Sequence, residues 1–391
     1  MAPPQANASS RNWRRIDGID LLRGLSIFFV LMNHVNMRLL GAKVPYAKGL
    51  PPQLVSSLVW NGQFGVQIFF AVSGYLITST SMRRWRFPAG VSPLQFYTLR
   101  FARIAPLMLL LLAVLSVLHL MNESGYVISE KAGGLTHALL AAITFRINVL
   151  EATRAYLPPG WDILWSLSVE EMFYLFFPIV ALLTRRTRFL VPLLLLFVFA
   201  GPFARAKALN PNPVWREYSY LGGMDAIAMG CLTAIALKDR QLSKRAIRLC
   251  ALIGAVLLIF ILGFSIKSDM WGLGRNGIDM TILAAGACLV IAAATQSGWR
   301  VPRLLAPLPA LGRLSYEIYL THIFVILALF MVFVHAGKPM RGVPLLFAAT
   351  IVCAWMFGLA VSRFYTEPMN RWIRNRSGEG EKVLGAVGEV S

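Results

Sequence analysis

Apolar runs of about 20 residues recur along the whole chain, and they constrain its fold more than any other feature. A run of this length matches the thickness of a bilayer when it is helical. Only helices and closed barrels satisfy their backbone hydrogen bonds in hydrocarbon. Hydrophobic residues make up 57% of the chain and charged residues only 14%, which is unusual for a soluble domain. The sequence therefore predicts an all-α polytopic membrane protein.

We predict ten transmembrane helices with both termini in the cytoplasm. Their approximate ranges are 19–40, 60–80, 104–121, 163–183, 189–206, 218–238, 246–266, 278–297, 313–334 and 343–365. This divides the chain into a cytoplasmic N-terminal segment at 1–18, a membrane domain at 19–365 and a basic cytoplasmic tail at 366–391. The N-terminal segment carries Arg11, Arg14 and Arg15 ahead of the first helix.

An eleventh apolar run, residues 135–150, is short and carries His137 and Arg146. The positive-inside rule tests whether it crosses. If it does not cross, the cytoplasmic segments hold 23 Lys and Arg and the external ones 13. If it crosses, the counts become 16 and 19. We therefore expect 135–150 to be an external amphipathic or re-entrant helix.

The net charge of +20 does not indicate a nucleic-acid-binding protein. The basic residues lie in short loops between apolar runs, where the positive-inside rule places them. We expect no nucleic-acid partner. The four cysteines lie singly, so we expect no metal site.

The stretch RGLSIFFVLMNH, residues 23–34, places two ionisable side chains inside the first span. Arg23 and His34 lie ~16 Å apart along a helix and point to nearly the same face. Asp20 is close enough to pair with Arg23. Such groups usually face the interior of the bundle or a wet cavity. The alternatives are that Arg23 extends to the headgroups and that His34 only binds a neighbouring helix.

A second polar cluster lies in WDILWSLSVEEMFYLFFP, residues 161–178. Glu170 and Glu171 fall ~10 Å into the membrane, at a depth similar to that of His34. Trp165 and Ser166 precede them by about one turn. A carboxylate beside an imidazole fixes its tautomer and raises its basicity. The alternative is a purely structural hydrogen-bond network.

Two further stretches contribute supporting residues. Ser73 and Gly74 lie in mid-span, where small residues allow helices to approach closely. The stretch SYEIYLTH, residues 315–322, contains Tyr316, Glu317 and His322. His322 alone suits a packing role slightly better than a catalytic one.

Five motifs in this order resemble the acyltransferase-3 family of bacterial integral membrane acyltransferases. The Arg-x10-His spacing of that family falls on Arg23 and His34. One departure is visible at GGMDAIAMG, where similar proteins often have an arginine shortly before the aspartate, which leaves the role of Asp225 open. The matching stretches are LLRGLSIFFVLMNHV, FFAVSGYLI, WSLSVEEMFYLFFP, LSYEIYLTH and YTEPMNRW.

The resemblance implies an O-acyltransferase of the bacterial cytoplasmic membrane. Such enzymes move an acyl group, most often acetyl, from cytoplasmic acyl-CoA to a hydroxyl of a carbohydrate or glycoside, often in a surface or exported glycan. Acyl-CoA is then a co-substrate, and we expect no permanently bound cofactor. Some members carry an appended esterase-like domain. None is seen here, so we expect the membrane domain to act alone.

The residues suggest how such a reaction runs. Arginines bind phosphate bidentately, so Arg23, Arg100 and Arg103 are candidates for binding the acyl donor. His34 is the candidate general base, with Glu170 or Glu171 orienting it. An acyl-histidine intermediate stays open as an alternative to direct transfer. The main rival function is a proton-coupled transporter, which uses the same residue types. A membrane scaffold without chemistry is the third alternative.

Overall fold

The computed structural model describes residues 16–377, and within that range ten helices are long and apolar enough to cross a membrane. This confirms the predicted fold class. Arg11, Arg14 and Arg15 of the N-terminal segment, and the tail beyond residue 377, lie outside the described residues. The ten helices are α1 (Asp17–Gly41), α2 (Gly62–Arg84), α3 (Pro93–Leu120), α4 (Leu164–Thr184), α5 (Thr187–Arg205), α6 (Tyr220–Leu237), α7 (Lys244–Gly263), α8 (Ile278–Ser297), α9 (Ser315–His335) and α10 (Val343–Val361).

The third helix starts well before the predicted position. Helix α3 begins at Pro93 rather than near 104, because its first turns are polar and hydropathy alone does not detect them. Proline suits the first turn of a helix, where its missing N–H has no partner to lose. Arg100 and Arg103 consequently lie on a helix rather than in a loop.

The run at 135–150 forms two short helices, Gly134–Ile143 and Ile147–Thr153. Phe145 between them has a positive φ of 56°, which ends the first helix. A ten-residue helix spans ~15 Å, half of the hydrocarbon core. Neither helix is therefore long enough to cross.

Helix α1 lies at the centre of the bundle and packs against α2, α8, α9 and a short helix, Pro307–Arg313. Two thirds of its span is buried, 67%, against 17% for α5 and α7 at the periphery. Glycines bring α1 close to the short helix, because a side chain at Gly24 or Gly312 would overlap the backbone of the other element. The face of α1 that carries Arg23 and His34 therefore packs against other helices of the bundle.

Candidate active site

A narrow cavity runs beside the face of α1 that joins Arg23 to His34. Its volume is about 40 Å³, which is room for about three water molecules. Ser26, Ile27 and Val30 of α1 line it, and they occupy the turns between Arg23 and His34. The other walls come from α2, α4 and α9, through Gly65, Val66, Phe69, Phe70, Ser166, Leu167, Glu170, Tyr316, Tyr319 and Leu320.

Arg23 lies one turn before the cavity. Its Nε donates to Ser315 Oγ at 3.0 Å, and its guanidinium lies 5.8 Å from the centre of the Phe69 ring. The carboxylates of Asp20 and Glu317 act on it electrostatically. The predicted Asp20–Arg23 neighbourhood is therefore present, and α9 contributes a second acid.

His34 lies on the other side of the cavity, and its ring neighbour is His322 on α9. The two ring centres are 5.0 Å apart with 53° between their planes. His322 is fully buried, and its Nδ1 lies 2.7 Å from the carbonyl oxygen of Tyr319. In the described part of the chain no hydrogen bond joins His34 to Glu170 or Glu171.

The two glutamates have partners of their own. Glu170 lines the cavity and accepts a hydrogen bond from Tyr174 Oη at 2.9 Å. Glu171 forms an ion pair with Arg100 at 2.6 Å, and that guanidinium lies 3.4 Å above the Tyr174 ring. Sequence reasoning did not identify either partner. The role of the two glutamates toward His34 stays a prediction.

Two of the three predicted donor-binding arginines, Arg100 and Arg103, lie in the first turns of α3. Arg100 faces α4 through Glu171, and Arg103 lies 5.9 Å from the centre of the Tyr316 ring on α9. Tyr316 fixes this contact by donating to the carbonyl of Ile104 at 2.7 Å. Arg103 is exposed and is thus available to an anion.

The remaining predicted residues support the walls of the site. Ser166 Oγ lies 2.6 Å from Tyr319 Oη, which ties α4 to α9 at the cavity. Trp165 is buried and stacks on Tyr218 with 4.2 Å between ring centres. On α2, Ser73 lies beside Tyr174.

Gly74 allows α2 and α6 to touch, because a side chain there would overlap the carbonyl of Ile227. The close approach of helices that small residues predict is therefore seen at this position.

Asp225, whose role the sequence left open, has an arginine partner from another helix. Arg205 at the end of α5 binds it with 2.7 Å between Nη2 and Oδ2. Gln67 of α2 and Thr281 of α8 also donate to this carboxylate. The only indication of this pair in the sequence was Arg205 itself, an arginine at the end of an apolar run.

A second feature that the sequence did not reveal is a carboxyl pair outside the membrane-spanning helices. Glu151 of the short helix Ile147–Thr153 is buried, and its Oε1 accepts from the Leu157 N–H at 2.9 Å. Burial and the nearby Asp162 carboxylate raise the pKa of Glu151 to about 10. Glu151 is therefore protonated at neutral pH, and the pair carries one negative charge rather than two.

Comparison with known proteins assigns most of the chain to a protein family. The sequence profile of a family described as "Acyltransferase domain" matches residues 16–359. O-acetyltransferase OatA of Staphylococcus aureus (strain NCTC 8325) is 27% identical over 333 residues, covering 79% of this chain and 50% of OatA. A putative O-acetyltransferase of Staphylococcus aureus (strain COL) is 28% identical over 203 residues, covering 49% of this chain and 28% of the relative. The chain thus spans half or less of the length of these relatives. No solved structure matches it.

Proposed function

Because this chain belongs to the acyltransferase family whose profile covers residues 16–359, we propose that it is a membrane O-acyltransferase. It moves an acyl group, most simply acetyl, from cytoplasmic acyl-CoA to a hydroxyl of a sugar in a surface or exported glycan. The relatives are named O-acetyltransferases, which supports this choice of acyl group and of oxygen as the acceptor atom.

The observation that carries the proposal is the cavity between Arg23 and His34. Ser26, Ile27 and Val30 line it on α1, and these residues lie between the cation Arg23 and the titratable base His34 in the same helix. The cavity has room for about three water molecules, which matches the three heavy atoms of an acetyl group. The walls of the cavity are mainly apolar. This supports acetyl as the group that is transferred.

The donor end of the site is built from arginines. Arg103 is exposed beside Tyr316. The Nε of Arg100 is buried and has no hydrogen-bond partner among residues 16–377. Guanidinium groups bind phosphate oxygens through paired N–H donors. We assign Arg100 and Arg103 to the phosphates of CoA, and Arg23 to the pantetheine arm where it passes toward the cavity.

In the reaction, His34 takes the proton of the acceptor hydroxyl. The oxygen attacks the thioester carbonyl, the C–S bond breaks, and the CoA thiolate leaves and recovers the proton from the imidazolium. The products are the acyl ester and free CoA, so no outside proton or electron is needed. In the two-step version the His34 nitrogen attacks first and the hydroxyl then takes the acyl group from it.

Acyl transfer in inverted membrane vesicles tests this function. Vesicles from the producing cells contain the acceptor, and radiolabelled acetyl-CoA is added to their exposed cytoplasmic face. Label should enter the glycan fraction with wild-type protein and fall by about 10²- to 10⁴-fold with His34→Ala. His335→Ala is the matched control, because His335 lies on the exposed end of α9 and should not matter.

Two results would contradict the proposal. Full transfer by His34→Ala at matched expression would remove His34 from the chemistry. Label that crosses the membrane in free form, without entering a glycan, would favour the transporter.

A further inference from the structure

We propose that His322, rather than a carboxylate, is the positioning residue for His34, an assignment that rests on the acyl-transfer function proposed above. His322 accepts the N–H of His34 at its own Nε2. That bond leaves the other nitrogen of His34 unprotonated and able to take the proton of the acceptor hydroxyl.

The protonation of His322 follows from its backbone contacts. Its Nδ1 lies 2.7 Å from the carbonyl oxygen of Tyr319 and 3.2 Å from that of Ile318. A carbonyl only accepts hydrogen bonds, so Nδ1 carries the hydrogen. The Nε2 of the neutral ring therefore carries a lone pair and no hydrogen, since a neutral imidazole has only one N–H.

Among the described residues, no hydrogen-bond donor reaches that lone pair. His322 is fully buried, and among residues 16–377 its Nε2 has no hydrogen-bond partner. Buried acceptors are nearly always paired in native proteins, and exceptions point to a functional group or to a partner that arrives later. The unpaired Nε2 of His322, beside the candidate base, is such an exception.

His34 is the donor placed to fill this gap. With 5.0 Å between the ring centres, the edges of the two rings lie within reach of one N–H···N bond after a small rotation of the His34 side chain. Hydrogen bonds of catalytic groups are often long before substrate binds and tighten afterwards. The glutamates compete poorly for this place, because Glu170 accepts from Tyr174 and Glu171 is paired with Arg100.

The fold also fixes the orientation of the His322 ring. Tyr319, whose carbonyl fixes Nδ1, uses its hydroxyl to bind Ser166 and the carbonyl of Ile163. The ring of His322 is thereby connected to α4 as well as to its own helix. A base that is oriented by a rigid neighbour keeps one tautomer, and only one tautomer presents its lone pair to the substrate.

Two substitutions at His322 separate positioning from packing. His322→Leu fills the space and removes the acceptor, whereas His322→Gln keeps an acceptor in its carbonyl oxygen. We expect His322→Leu to lower kcat by about 10- to 100-fold, the loss found when partners of metal-bound histidines are removed. KM for acetyl-CoA should stay unchanged, and His322→Gln should recover part of the rate.

Nitrogen NMR of histidine-labelled protein in lipid gives the second readout. The His34 resonances are assigned by their loss in His34→Ala, and their shifts report which ring nitrogen is protonated. Wild type should show one tautomer, and His322→Leu a mixture. This readout also decides the question if His322→Leu fails to fold, because a mixture of tautomers in the wild type alone overturns the proposal.

The outcomes separate this inference from the proposed function. If His34→Ala is inactive while His322→Leu keeps the wild-type kcat and a single tautomer, the enzyme stands and the positioning role falls. If His322→Leu is as inactive as His34→Ala and His322→Gln recovers nothing, His322 touches the reacting atoms itself, and positioning is again wrong. If His34→Ala transfers normally, the proposed function fails first.

Discussion

Two arginine–carboxylate pairs are buried in this bundle, and they differ in how completely they are bonded. Arg205 and Asp225 have exposed side-chain fractions of 7% and 0%. Every guanidinium nitrogen of Arg205 has an acceptor, including the carbonyls of Gly222 and Gly277. Arg100 and Glu171 are 20% and 10% exposed and share one hydrogen bond. Within the described part of the chain, the buried Nε of Arg100 has no hydrogen-bond partner.

The difference tells which pair is available for chemistry. A fully bonded buried pair has no capacity left for a ligand, and it fixes helices in one arrangement. A partly bonded pair keeps a donor without an acceptor, which is costly in a buried position unless a ligand uses that donor. We therefore interpret the Arg205–Asp225 cluster as structural and the Arg100–Glu171 pair as functional.

The largest effect is expected from Asp225→Asn. It removes the charge, keeps the shape and leaves Arg205 buried without a counter-charge. Loss of one partner of a buried pair typically costs about 3–5 kcal/mol, so the purified protein should unfold at much lower denaturant concentration. Arg371→Ala is the control, because its pair with Glu367 is 78% and 58% exposed and should change nothing measurable. A normal unfolding curve for Asp225→Asn would contradict the structural interpretation.

Glu171→Gln tests the other side of the comparison. The Arg100 side chain is 20% exposed and can be rehydrated, so stability should fall less than with Asp225→Asn. Acyl transfer should fall about 10- to 100-fold, because a hydrogen bond to a charged group contributes about 1.5–3 kcal/mol. Steady-state transfer and unfolding are measured on the same preparation. Equal damage to stability at both sites would erase the distinction between the two pairs.

Gly74→Ala probes the structural region without touching a charge. The added methyl group would overlap the Ile227 carbonyl, so α2 and α6 would have to separate. Overpacking of this kind costs about 1–3 kcal/mol, and the Gln67–Asp225 bond across the same helices should weaken with it. Gly263→Ala is the matched control, since its nearest neighbour would be 3.8 Å away. Identical melting temperatures for the two variants would show that the close contact is absent.

The smallest effect concerns pH and the external carboxyl pair. The folded protein keeps a proton on Glu151 up to about pH 10, whereas the unfolded chain releases it near 4.5. Stability should therefore decrease as pH rises between these values. Glu151→Gln supplies a neutral group of the same shape and should flatten the slope. Parallel curves of melting temperature against pH for the two proteins would contradict this account.

The sequence was sufficient to predict the ten helices, because hydropathy and loop charge are local properties. It also placed Arg23 and His34 on one face of α1, since that follows from helical geometry alone. It could not choose partners between helices. Arg205 and Asp225 are twenty residues apart on different helices, and neither residue's neighbours in sequence indicate the pairing.

The partner of His34 shows the same limit more sharply. Depth in the membrane suggested the glutamates of α4, and the structure places the ring of His322 on α9 beside His34, with 5.0 Å between ring centres. Which face of a helix meets which neighbour depends on packing over the whole bundle, including close contacts such as Gly24 against Leu308. A histidine that sequence reasoning assigned to packing thus becomes the most informative neighbour of the base.

The size of the cavity has an electrical consequence. Any polar path through a bilayer threatens the ion gradients that the bilayer maintains. A space of about 40 Å³ is small for a hydrated ion, and Arg23, one turn away on α1, would repel cations, as arginines do in selective water pores. If the proposed acyl transfer uses this site, it can proceed without opening an ion leak.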